Sequence, residues 1–235
     1  MTQPKPAKVR SAKGLFRATG KTPKQISLKL GDGIVKIDGG LPRKKNDFYP
    51  TPPEPIRAYL KAEIHRLKEF EKIWEPAAGD GAMIREFERA GLRAYASDII
   101  DRGCGAEIKS FYDYKKPVLP AIVTNPPFKE CNSNHGWVRY ALEVLNVEYM
   151  ALLLPLSWVG SNHERLRLWV DHPPARMFVM RWRIDFTNQG NPPIYYAWYV
   201  WDTKAEIKGQ TLLYTIDQWD DVNQMTFLST AEALR

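Results

Sequence analysis

The sequence predicts an α/β fold built on a mostly parallel sheet, and three observations carry that prediction. Short apolar runs alternate with segments of helical period from about residue 52 to residue 201. One of those runs, Tyr149–Leu154, is apolar without alternation, as in a strand covered on both faces. A turn of small residues, Glu75-Pro76-Ala77-Ala78-Gly79-Asp80-Gly81, falls between a strand and a helix, which is where open α/β sheets bind ligands.

The elements follow in order. Pro52, Pro53 and Pro55 open a helix whose apolar residues Ile56, Leu60, Ile64, Leu67 and Phe70 recur at spacings of three and four. Lys72–Glu75 reads as a first strand. Met83, Ile84, Phe87 and Ala90 line a helix that stops at Gly91. Arg93–Ser97, Glu107–Lys109 and Ala121–Thr124 read as the next three strands, and Trp137–Leu145 as a helix leading into the buried run. Ser161 with Glu164 forms a capping box for a helix carrying Leu166 and Trp169. Met177–Ile184 and Tyr195–Trp201 close the sheet as antiparallel neighbours.

With 235 residues, 44% hydrophobic and 26% charged, the chain is neither a disordered polymer nor a disulfide-stapled miniprotein. Its net charge of +7 is unevenly placed. Residues 1–46 hold twelve Lys/Arg against two Asp, or +10, while the other 189 residues hold 22 against 25, or −3. A basic arm therefore precedes a mildly acidic globule. The arm carries one apolar alternation, at Ile34, Val35 and Ile37, that suits a single hairpin. Such an arm suits contact with nucleic acid or an anionic membrane surface, and a solvated tail is the competing reading. Cys104 and Cys131 lack metal-ligand spacing and fit a reduced, cytoplasmic protein. No apolar run approaches the roughly eighteen residues of a membrane span, and the N-terminus is charged where a secretory leader is apolar.

Two constellations carry chemistry. In the first, the small residues of Glu75–Gly81 let backbone approach a ligand, and Glu75 at the strand tip can take an ammonium group. The third glycine of the dinucleotide fingerprint is missing, and an ordinary turn is the bland alternative. Asp98, seventeen residues after Gly81, stands near the spacing at which a carboxylate meets ribose hydroxyls. An adenosine-containing cofactor without a required pyrophosphate satisfies both. In the second, Asn125-Pro126-Pro127-Phe128 directly follows a strand. Two prolines remove two N–H donors, so the local carbonyls project outward. An Asn oxygen beside such a carbonyl is a pair of acceptors for an –NH2 group, and Phe128 offers a face to a planar base.

On these residues the chain resembles the class I S-adenosylmethionine-dependent methyltransferases. Glu75–Gly81 is similar to their motif I, and Asn125–Phe128 to the (Asp/Asn/Ser)-Pro-Pro-(Tyr/Phe/Trp) motif IV of the amino-methyltransferases. Phe48-Tyr49-Pro50-Thr51-Pro52-Pro53 resembles the motif X that precedes motif I in gamma-order DNA adenine methyltransferases, and Phe186–Trp201 resembles the closing strand of small phage-type members. The resemblance implies a Rossmann-like, mostly parallel seven-stranded sheet with an antiparallel final strand. It implies a methyltransferase domain over 47–202, between an arm at 1–46 and a C-terminal extension at 203–235. Glu75, Ala77, Gly79 and Gly81 then line the methionine side of S-adenosylmethionine, Tyr49 and Thr51 stand near its carboxylate, Asp98 binds its ribose, and Phe111 flanks its adenine. Asn125, Pro126, Pro127 and Phe128 hold the target amine, and no metal is implied.

The tetrad also serves enzymes acting on RNA bases and protein glutamine, and a silent nucleic-acid-binding relative is a further alternative. Motif order, the Tyr49–Pro53 element and the basic arm point to adenine in double-stranded DNA, with the protein a monomer or weak dimer. With 34 residues beyond Trp201, target reading falls to the loops Lys129–Gly136 and Thr187–Pro193, through Asn132, Asn134, Asn188 and Gln189. His135 and His163 are read as loop or surface residues. Arg181 and Arg183 face either phosphate or solvent.

Overall fold

The computed structural model describes residues 26–30, 33–37, 50–132, 136–160, 163–186, 190, 192–206 and 208–218, with 26–30, 33–37, Asn132 and 163–166 described by backbone alone. The chain divides into two units, Met1–Asp47 and Phe48–Arg235. In the first, β1 (Ile26–Leu30) pairs antiparallel with β2 (Gly33–Ile37), with Ile26 opposite Ile37 and Leu30 opposite Gly33. This is the hairpin expected around Ile34–Ile37.

The second unit begins with α1 (Pro53–Leu67), entered through Pro52, whose extended backbone (φ −59°, ψ 156°) leads into prolines at 53 and 55 that need no helical N–H partner. Strand β3 (Ile73–Glu75) leads through the small-residue turn to α2 (Ala82–Arg89), which Gly91 ends with a φ of +74°. Then come β4 (Ala94–Asp98), β5 (Glu107–Ile108) and β6 (Ala121–Thr124). Helix α3 differs from the continuous helix expected. Its first turn, Trp137–Arg139, widens into a π turn over Tyr140–Val144, and Asn146 closes it in the left-handed region (φ 53°). Strand β7 (Tyr149–Pro155), α4 (His163–Asp171), β8 (Arg176–Met180), β9 (Tyr196–Asp202) and β10 (Leu212–Ile216) complete the unit.

Among the described residues the sheet has eight strands, in the order β10-β8-β9-β7-β6-β3-β4-β5. Strands β3 to β7 pair in parallel, β9 runs antiparallel to both β7 and β8, and β10 is parallel to β8. The count corrects the seven strands expected, because β10 falls in the segment read as an extension. It is an exposed edge strand, with Leu213 64% accessible, and so lacks the apolar-in, polar-out alternation that marks a strand in sequence. Strand β8 also stops at Met180 rather than Ile184. Its ladder with β9 ends at Val179 opposite Ala197, and the residues before β9 include Pro192 and Pro193, which have no N–H to offer.

Alternate residues of β7 feed two cores. Tyr149, Ala151 and Leu153 face α1 and α2 through Ile56, Tyr59, Met83 and Phe87, while Met150, Leu152 and Leu154 face α3 and α4 through Trp137, Ala141, Leu145 and Leu168. A buried polar network ties α1 to the sheet where β7 begins and β9 ends. Arg176 makes a two-pronged pair with Glu63 (3.0 and 2.8 Å) and reaches Asp202 (2.8 Å), which Arg66 also holds (3.0 Å). Tyr149 donates to Glu63 (2.7 Å), and Tyr59 lies 2.5 Å from Tyr149, oxygen to oxygen. No helix among the described residues is long and apolar enough to cross a membrane.

Candidate active site

The strand order places a topological switch point between β3 and β6: the chain leaves β3 for β4 on one side and later returns to β6 on the other. Ligands of open α/β sheets bind in the crevice at the carboxyl ends of the strands there. Those ends are Glu75 on β3 and Thr124, followed by Asn125, on β6.

Glu75 is 1% exposed. The Thr124 hydroxyl donates to its Oε1 at 2.5 Å, and its Oε2 is buried with no partner among the described residues. Burial pushes the carboxyl up to about 8, against the Thr124 hydroxyl and the Ala77 N–H, which favour the anion; Asp98 adds to the rise. An orphan carboxylate oxygen at a strand tip is a seat for a cation with hydrogens to donate.

The turn after it is held open by backbone geometry. Gly79 and Gly81 take φ values of +57° and +79°. A Cβ on Gly81 would lie 2.9 Å from Cβ of Cys104, whose thiol donates to the Gly79 carbonyl (3.3 Å). The segment after β4 thus lies against the turn, and only glycine fits at 81. Asp98 fixes the same turn, its Oδ2 accepting from the Gly79 N–H (2.9 Å) and its Oδ1 from Ile100 N–H (2.9 Å) and Arg102 (3.1 Å). Both oxygens are engaged, by three donors where a carboxylate has about four acceptor directions. Beside it Ile99 is 65% exposed, an apolar surface at the rim that the sequence reading did not single out.

At β6, Asn125 Nδ2 donates to the Thr51 hydroxyl at 2.9 Å, and Asn125 Oδ1 is buried with no partner among the described residues. Pro126 is buried and Pro127 exposed, and the Pro127 carbonyl accepts from Glu130 N–H (2.9 Å), which turns the chain after the tetrad. Phe128 is half-buried with its ring 5.9 Å from Tyr196, which makes an edge contact with Phe186 (5.1 Å). Sequence reading missed Thr124 and Tyr196. Tyr196 had one signal, the alternation Tyr196, Trp198, Val200 along β9, and these three residues share a core with Phe128 packed against it.

The structure thus brings Glu75, Ala77, Gly79, Gly81 and Asp98 around one turn and joins it to Asn125 through the bond from Thr124. Phe111 is packed in the core. Its ring is 3% exposed, stacked on Trp137 at 4.0 Å and tilted against Trp74 at 5.6 Å, so packing occupies the ring expected beside adenine. Thr51 gives its hydroxyl to Asn125. Tyr49, Asn134, His135, Asn188 and Gln189 lie outside the described residues, as do the side chains of Asn132 and His163. Arg181 pairs with Asp217, and Arg183 lies over the Tyr195 ring (4.7 Å).

No family model and no curated protein matches this sequence. Its backbone is similar to three solved methyltransferase structures. The methyltransferase subunit of a type I restriction-modification system from Streptococcus thermophilus is 11% identical with a TM-score of 0.48, over 72% of this chain and 47% of that one. A candidate class I S-adenosylmethionine-dependent methyltransferase from Listeria monocytogenes is 12% identical at 0.47, over 70% and 65%. A candidate RNA methyltransferase from Pyrococcus horikoshii is 12% identical at 0.48, over 65% and 84%. The chain spans less than half of the restriction-modification subunit.

Proposed function

We propose that this chain transfers a methyl group from S-adenosyl-L-methionine to the exocyclic amino group of adenine in DNA. One observation carries the reading: Asn125 presents a buried amide oxygen with no partner, its amide nitrogen being committed to Thr51. A buried acceptor left unpaired costs about 1–3 kcal/mol, and an incoming –NH2 group removes that cost.

The residues fit the cofactor on two counts. The orphan Oε2 of Glu75 suits the α-ammonium of its methionine part, and the cradle at Gly81, which a Cβ would fill, lets backbone approach a ligand. Ala77 and Gly79 line the same turn, Asp98 has an acceptor direction for the ribose, and Ile99 offers an apolar face for the adenine. Tyr49 stands in the motif that precedes α1 and is assigned to the cofactor's carboxylate on resemblance alone. When bound, S-adenosylmethionine supplies a methyl group already activated by its sulfonium charge.

Adenine's amine is a poor nucleophile because its lone pair is delocalised into the ring. With Asn125 Oδ1 and the Pro126 carbonyl accepting its two hydrogens, the nitrogen becomes more tetrahedral and its lone pair is withdrawn from the ring's π system. Positioning then does what a general base does elsewhere, the extra proton of the methylated nitrogen passing to water as the neutral thioether is left, and well-oriented reactions gain about 7–11 kcal/mol. Pro127 stiffens the turn, and Phe128, backed by Tyr196, gives the flipped base a stacking face worth about 1–3 kcal/mol. The arm, near +10, favours a polyanion over a protein glutamine as the substrate.

Incubation with labelled S-adenosylmethionine and DNA, RNA or protein in parallel tests the reading, with sequencing of methylated bases to name the target. Label in DNA adenine is expected. Label confined to RNA or protein, or none with any substrate, overturns it.

A further inference from the structure

The amide of Asn125 can grip an amine only with its oxygen toward the crevice, and the structure shows what anchors the side chain in that place. Rotation by 180° about its last torsion would turn Nδ2 toward the crevice and set donor against donor. In the observed state Nδ2 donates to Thr51 Oγ1 at 2.9 Å. Thr51 is 8% exposed, so water does not readily take the hydroxyl's place.

Both ends of this bond are anchored in the same way. Thr51 precedes Pro52, and Asn125 precedes Pro126. A following proline excludes the helical region and holds a residue extended, so neither backbone can swing to loosen the contact. Pro52 also forms the entry to α1, whose Ile56 and Tyr59 are fully buried against the sheet. The hydroxyl therefore rides on a helix packed in the core, and the amide on a strand tip 74 residues away.

We infer that Thr51 is a positioning residue, which anchors the Asn125 side chain so that its oxygen meets the target amine, rather than contacting the cofactor. The inference rests on the methyltransferase reading for its consequence, but not for the bond itself. Without the hydroxyl the amide loses its only hold among the described residues, and turnover drops while cofactor affinity does not.

The test compares Thr51→Val and Thr51→Ser with wild type, measuring turnover at saturating cofactor, S-adenosylmethionine affinity by calorimetry, and the side-chain amide resonances of Asn125, assigned by their loss in Asn125→Ser. Thr51→Val should lower turnover roughly ten- to a hundredfold, in line with one lost buried hydrogen bond. Its cofactor affinity should stay within about twofold of wild type, since no cofactor contact is lost. The Asn125 resonances should move, and Thr51→Ser should restore all three readouts. A Thr51→Val protein with weaker cofactor binding and intact turnover overturns the inference, because Thr51 then touches the cofactor. Serine as harmful as valine overturns it too. Should the wild type methylate nothing, the methyltransferase reading has failed, and the resonances decide the pairing alone: shifted in Thr51→Val they support it, unmoved they overturn it.

Discussion

The Thr124 hydroxyl donates to Glu75 Oε1 across neighbouring strand tips at 2.5 Å, leaving Oε2 as a buried acceptor with nothing to accept from. This single bond couples the two halves of the site, because Thr124 directly precedes Asn125, the residue proposed to grip the amine. Burial of the same carboxyl, which the bond opposes, sets how the site responds to pH.

Cofactor affinity should depend on pH with a maximum near 8. Burial raises Glu75 to about 8, so at lower pH it is protonated and an ammonium group must displace that proton. An α-amino group loses its own charge above about 8, which bounds the other side. Affinity should rise up to about tenfold per unit between pH 6 and 7.5, with proton release visible as a buffer-dependent binding enthalpy. Glu75→Gln should bind weakly and lose the acid limb. A flat profile in wild type would remove Glu75 from the cofactor site.

The same group makes stability pH-dependent in the opposite sense. Its folded value, about 8, lies above the ordinary 4.5, so between these values the folded protein holds a proton that the unfolded chain gives up. That contribution is complete below pH 4.5 and is lost as pH rises through 8. In urea melts, Glu75→Gln should therefore gain on wild type as pH is raised from 5 to 9, with unfolding midpoints diverging across that window. Parallel midpoints would mean that Glu75 is charged throughout.

Asn125→Ala should lower turnover by at least a hundredfold with cofactor affinity nearly unchanged, since it removes the amine acceptor and touches none of the residues around the glycine turn. Asn125→Asp retains acceptor oxygens and a partner in Thr51, whose hydroxyl then donates, and should keep measurable activity. Both are read in single-turnover assays at saturating cofactor. Full activity in Asn125→Ala would end the proposed mechanism.

What the sequence made legible is what lies contiguous in it. Glu75–Gly81 and Asn125–Phe128 each lie within four to seven contiguous residues, so both patterns were visible in the sequence, and the structure sets both at the switch point. The central strand of the parallel core was equally plain, because Tyr149–Leu154 is covered on both faces and so is apolar throughout. Pairings over long separations left no trace: Thr51 with Asn125, Glu63 with Arg176, Cys104 with Gly79. Nothing local distinguishes a threonine that orients an amide from one that caps a helix. Phe111 shows the converse, an aromatic at the expected place whose ring packing has claimed. Strand β10 was missed because its side chains are largely exposed and alternation has nothing to report.

Gly81→Ala should weaken cofactor binding and stability together. The left-handed φ of +79° costs an alanine about 1–2 kcal/mol, and its Cβ would press on Cys104 at 2.9 Å. Adding Cys104→Gly removes the clash but not the backbone strain, so the double variant should recover part of the loss. Full recovery would assign the whole effect to the clash.

The network of Glu63, Arg176, Asp202 and Arg66 sits at the end of the sheet away from the site, where β7 begins and β9 ends, and predicts a separation of stability from activity. Its acids are nearly inaccessible, with the Glu63 and Asp202 side chains at 7% and 3% exposure. Removing one partner strands a buried charge, which costs about 3–5 kcal/mol. At roughly 2–4 °C per kcal/mol for a domain of this size, Arg176→Met should lower Tm by about 6–20 °C. Turnover at 20 °C, well below that transition, should stay within about twofold of wild type, since no strand tip at the switch point has moved. If turnover falls in step with Tm, the two ends of the sheet are coupled, and α1 is the element that couples them: it is entered through Pro52, next to Thr51, and carries Glu63 and Arg66 about three turns later.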